Sequence, residues 1–81
     1  MEKSVFSAEY AALLRALIEA RKAAGLRQAD VARDLVRAQS FVSKYEHGQR
    51  RLDVIEFLKV ARVVGLDPIE VLRSIDRDLS R

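Results

Sequence analysis

Apolar residues along this chain recur at three- and four-residue spacing, the repeat of a helix face, and no stretch shows the strict alternation of a half-buried strand. Tyr10, Leu13, Leu14, Leu17 and Ile18 trace the first such stripe. It opens after Ser7, whose hydroxyl suits an N-cap, and stops at Gly25. Two short segments follow, Gln28 to Leu35 and Gln39 to His47, joined by Val36-Arg37-Ala38. Helices of this length are unstable alone, so each needs a packing partner. Asp53 to Glu56 has the D-x-x-E form of a capping box. The helix it opens carries Val54, Ile55, Phe57, Leu58, Val60, Ala61 and Val64 over more than half its circumference, which predicts the buried centre of the fold. Asp67-Pro68-Ile69-Glu70 starts a last helix with proline at its first position, continuing through Val71, Leu72, Ile75 and Leu79. The pattern predicts an all-α domain of five helices over residues 8–73, with residues 1–7 as a tail and 74–81 as the end of the last helix and a second tail. Phe6 and Tyr10 read as core or as N-terminal packing.

Composition narrows the class. With 81 residues, 49% apolar and 33% charged, three glycines, one proline and no cysteine, the chain has material for one modest core and none for disulfides or thiolate metal sites. No apolar run approaches the roughly 20 residues of a spanning helix, and Met1-Glu2-Lys3-Ser4 leads into no signal-peptide core. The expectation is a cytoplasmic protein that does not meet a membrane.

The net charge of +3 is concentrated. Residues 27–51 hold six basic side chains (Arg27, Arg33, Arg37, Lys44, Arg50, Arg51) against three acidic ones (Asp30, Asp34, Glu46), while the other 56 residues balance nine against nine. A surface that meets phosphates has this distribution, and so does a merely solvated face. The segment from Gln39 favours the first. At about 100° per residue from Gln39, Ser43 falls at about 40°, His47 at about 80°, Ser40 at about 100° and Lys44 at about 140°, with Phe41, Val42 and Tyr45 between about 200° and 300°. Solvated faces normally use Glu and Lys. Gln, Ser and Lys suit the base edges of a major groove, because glutamine both donates to and accepts from adenine and lysine donates to guanine.

Other chemistry is thin. His47 is the only histidine, and the glycines are too scattered for a phosphate-cradling loop, so neither an enzyme, a cofactor nor a metal site is expected. Asp30 and Asp34 share a helical face and read as solvated surface. His47 reads as a phosphate neighbour or an exposed helix end, and Phe41 as core more readily than as a contact to a thymine methyl.

The run Gly25-Leu26-Arg27-Gln28-Ala29-Asp30-Val31-Ala32-Arg33-Asp34-Leu35, then Gln39-Ser40-Phe41-Val42-Ser43-Lys44-Tyr45-Glu46-His47-Gly48, then Leu52 to Gly65, resembles the helix-turn-helix regulators of the Cro and phage-repressor (XRE-like) type. The likeness covers Leu13 to Leu72. Gln28 opens the first short helix as in that family, Ala32 is the small residue where the two helices cross, and Val31, Leu35, Val42 and Tyr45 fill the apolar positions. The turn departs from it. Val36, Arg37 and Ala38 stand where glycine, an apolar residue and a serine or threonine cap are usual. The expectation is that Val36 has left the glycine-requiring geometry, since a β-branched residue at positive φ is strained.

The resemblance implies a lambda-repressor-like fold and a bacterial or phage-type, nucleoid-associated transcriptional regulator that reads duplex DNA with the helix at 39–47. Gln39, Ser40 and Lys44 are the expected base readers, Lys44 with a phosphate as its other option. Gln28, Ser43, His47, Arg50, Arg51 and Arg37 are the expected phosphate contacts. Arg21 and Glu46 match positions that pair in similar repressors to hold the recognition helix against the first helix. A homodimer on a pseudo-palindromic operator, joined near the last helix, is the expected working form. The alternative is a protein-interaction module of the antitoxin or adaptor kind.

Overall fold

The computed structural model describes residues 7–80. Phe6, the rest of the tail before it and Arg81 lie outside the described residues. Five helices and no strand are found among the described residues: α1 (Ala8–Ala23), α2 (Gln28–Leu35), α3 (Gln39–Glu46), α4 (Val54–Val64) and α5 (Pro68–Leu79). The starts of α1, α4 and α5 have a local chemical cause. Ser7 Oγ accepts from Tyr10 N–H at 3.1 Å, and Asp67 Oδ1 accepts from Ile69 N–H at 3.0 Å ahead of Pro68. At α4 the capping box closes in both directions, Glu56 N–H to Asp53 Oδ1 at 2.7 Å and Asp53 N–H to Glu56 Oε1 at 2.9 Å.

The four internal helix ends turn by one pair of bonds. After α1, Gly25 N–H donates to Lys22 O and Leu26 N–H to Arg21 O. Gly48 with Gln49 and Gly65 with Leu66 repeat this after α3 and α4, and the glycines take φ of 74°, 75° and 76°. Val36 and Arg37 make the same bonds after α2, to Arg33 O and Ala32 O, with Val36 at φ 58° and ψ 48°. The expectation that Val36 had left the glycine-requiring geometry is therefore overturned. The Ala32 and Arg33 carbonyls need donors, and only a left-handed residue supplies both while reversing the chain toward α3. Val36 keeps that conformation with its side chain 87% exposed, at a cost on the order of 1–3 kcal/mol for a non-glycine residue. Ala38, next in the turn, gives α3 no side-chain cap.

The core is Leu14 and Leu17 of α1, Val31 and Ala32 of α2, Phe41, Val42 and Tyr45 of α3, and Phe57, Val60, Ala61 and Val64 of α4. Buried Ala32 is the small residue on α2, which packs against both α3 and α4. The prediction that the whole apolar circumference of α4 is buried needs correction. Val54 and Ile55 are 69% and 58% exposed: α1, α2 and α5 pack on this helix over the side formed by Phe57, Val60, Ala61 and Val64, and the apolar stripe is wider than that side. On α5, Val71 and Ile75 are half-buried against the bundle while Ile69, Leu72 and Leu79 are exposed.

Candidate nucleic-acid interface

Arg21, on the last turn of α1, lies across from Glu46, at the end of α3. Its Nε and Nη2 donate to Glu46 Oε2 at 2.7 Å and Oε1 at 3.0 Å, and its Nη1 donates to Leu26 O at 3.0 Å. Gln28 Nε2 gives Glu46 a third donor at 2.9 Å. The two charged side chains are only 12% and 6% exposed, so a bidentate pair with one further donor on its carboxylate joins α1, α2 and α3 in a half-buried setting. The hydrogen bond from Arg21 to Glu46 pushes the guanidinium up from its ordinary value, against the opposing effect of burial. Burial also pushes the phenol of adjacent Tyr45 up.

The polar arc of α3 faces outward. Gln39, Ser40, Lys44 and His47 are exposed and Ser43 is half-buried. The side chains of Gln39, Ser40 and Lys44 make no hydrogen bond or ion pair among the described residues. His47 Nδ1 lies 2.7 Å from Ser43 O. A carbonyl only accepts, so Nδ1 carries the proton and Nε2 is the nitrogen left to the surroundings.

The expected phosphate contacts divide. Gln28 is turned onto Glu46, so its amide has a competing partner inside the protein. Arg50 is held as firmly: Nη1 and Nη2 reach Glu56 Oε1 and Oε2 at 2.9 Å each, and Nη1 also donates to Arg51 O. Arg37 approaches the same carboxylate at 3.8 Å. Both guanidiniums lie over Phe41, with Arg37 Cζ at 3.9 Å and Arg50 Cζ at 4.9 Å from the ring centroid. Phe41 is buried and meets Tyr45 edge-on at 5.4 Å between centroids, as its core reading expected. Its arginine covering was not expected. The Arg50 bond and the Asp53 backbone together lower the Glu56 carboxyl from 4.5 to about 2, with its burial opposing. Arg51 lies over Tyr10, ring centroid 4.5 Å from Cζ, and the Tyr10 hydroxyl accepts from Leu52 N–H at 2.9 Å. Tyr10 thus anchors the loop after α3 to α1.

Asp30 does more than solvate a face. It accepts from Arg27 N–H at 2.8 Å, capping α2, and pairs with Arg27 at 2.9 Å and Arg33 at 3.4 Å. The Arg27 side chain, then its backbone N–H, hold the Asp30 carboxyl well below the usual carboxylate range. Its spacing of three from the residue before Gln28 was the available signal. Among the described residues, no group of three or more His, Cys, Asp or Glu side chains is placed to hold a metal ion, and no helix is long and apolar enough to cross a membrane.

Comparison with known proteins places this geometry. A family model described as a helix-turn-helix domain matches residues 9–73. Among solved structures, the chain is similar to an XRE-family like protein from Pseudomonas syringae pv. tomato str. DC3000, with 51% identity and a TM-score of 0.82 over 86% of this chain and 85% of that one. No curated protein matches.

Proposed function

Since this chain belongs to the XRE-like helix-turn-helix family and is thereby a DNA-binding regulator in general outline, we propose that it is a sequence-specific transcriptional regulator whose α3 enters the major groove of duplex DNA. One observation carries the reading. Gln39, Ser40 and Lys44 share an exposed helix face, and their side chains have no partners among the described residues, so their donors and acceptors are available to base edges. Ser43, His47 through Nε2, and Arg51 flank that face as backbone contacts. The protein is non-enzymatic and works in the cytoplasm on the nucleoid.

One recognition helix covers only a few base pairs, so the working form is a homodimer on a pseudo-palindromic site. Val54 and Leu72 border a groove with Tyr10, Leu13 and Phe57, and Ile55 and Ile69 add exposed apolar surface on the same two helices. That surface supports a second copy docking on α4 and α5, and it is also the one feature favouring a protein-interaction module. Titration of random-sequence duplex at several salt concentrations separates the readings. A DNA-binding face gives a log–log slope of about −0.9 per neutralised phosphate, whereas an interaction module gives no measurable binding.

A further inference from the structure

Two guanidiniums over one ring repel each other unless an anion lies between them. Arg37 sits two residues before α3 and Arg50 four residues after it, yet both cover Phe41 and both approach Glu56. Arg37, Phe41 and Glu56 also line a small cleft of about 70 Å³ with Lys59, and the two arginines share the one carboxylate. The arginine side chains remain 43% and 40% exposed, while Glu56 is 17% exposed and fixed from behind by the Asp53 N–H. The carboxylate is therefore the rigid member of the cluster. Phosphate and carboxylate engage the arginine fork through the same parallel N–H pair, so the fork that Arg50 gives to Glu56 is withdrawn from any other anion.

We propose that Glu56 withholds Arg50 and Arg37 from the DNA backbone and thereby limits sequence-independent binding, an inference that rests on the DNA-binding reading above. The two cations bracket the base-reading helix, and unrestrained they add phosphate contacts that are indifferent to sequence. Held on Glu56, they leave discrimination to Gln39, Ser40 and Lys44.

Glu56→Gln tests this, because glutamine serves the capping box as glutamate does while releasing the guanidiniums. Random-duplex affinity is measured across salt for wild type, Glu56→Gln and Asp34→Asn. The last makes the same change in net charge, within residues 27–51, while Arg33 keeps Asp30. Glu56→Gln is expected to bind about tenfold or more tightly than wild type near 0.1 M salt, with a slope steeper by about one to two, and Asp34→Asn to fall well short of both changes. Adding Arg50→Ala to Glu56→Gln takes back about one of the gained slope. Glu56→Gln behaving like Asp34→Asn, or binding more weakly than wild type with an unchanged melt, overturns the inference alone. Absence of duplex binding by every variant overturns it together with the DNA-binding reading. Should Glu56→Gln not fold, Glu56→Ala is read against the same control.

Discussion

Arg21–Glu46 and Arg50–Glu56 are the same chemical pair in two settings, each a bidentate guanidinium on a glutamate, one at each end of the surface that carries α3. The first is nearly enclosed, at 12% and 6% exposure, and takes a third donor from Gln28. The second is open, at 40% and 17%. Enclosure turns such a pair into a mechanical part, because removing one partner strands the other charge away from water. Exposure leaves the pair worth less to the fold, since water screens both charges and solvates either one when its partner is removed. The buried pair fixes where α3 lies against α1, and the open one governs which cations near α3 are available.

Breaking the buried pair has the largest expected effect. Glu46→Gln leaves Arg21 without an anion and, in its better amide orientation, still sets an N–H against the Arg21 Nε donor, so chemical denaturation is expected to show a loss of about 3 kcal/mol or more. Glu56→Gln is expected to lose only a small fraction of that. Equal losses would remove the distinction on which the comparison rests.

An effect of opposite sign is expected at Val36, in the turn that delivers α3 to the buried pair. Val36→Gly relieves the left-handed strain while adding freedom to the unfolded chain, for a net gain of about 1 kcal/mol, or roughly 4–8 °C in the melting midpoint. A lower midpoint would mean that the turn is not strained. The same glycine in the Glu46→Gln background should recover its gain in full if turn and pair act independently.

The smallest expected effect is acidic. The Glu56 carboxyl is depressed from 4.5 in the unfolded chain to about 2 in the folded one, so its contribution is present above pH 4.5 and lost as pH falls toward 2. Thermal melts across that window should decline less steeply for Glu56→Gln than for wild type. Parallel declines would show that the open pair contributes nothing to stability.

The contrast also explains what the sequence made legible. All five helices could be placed because their boundaries are local: Ser7, Asp53 and Asp67 cap within three residues, and Gly25, Gly48 and Gly65 mark left-handed ends. Val36 hid a fourth such end, since the usual mark is the absence of a Cβ and here the geometry persists with one present. The exposure of Val54 and Ile55 was hidden too, because counting apolar positions on α4 does not say how wide a side of it neighbouring helices cover. At the interface, the outward arc of Gln39, Ser40 and Lys44 follows from helical spacing alone. The partners of Gln28, Arg37 and Arg50 do not, because they depend on how the loop after α3 folds back onto α4 and how α2 meets the end of α3.

Base reading by the outward face of α3 stands or falls on Gln39→Ala. Gln39 heads the helix and is exposed, with no side-chain hydrogen bond among the described residues, so folding should be nearly unchanged. Affinity of the variant is measured on the best site selected from a random duplex pool and on random duplex itself. The expected result is a loss of about 1–3 kcal/mol on the selected site and almost none on random duplex, with preference flattened at one position per half-site. Equal weakening on both would contradict base reading by α3 and move the protein-interaction alternative ahead.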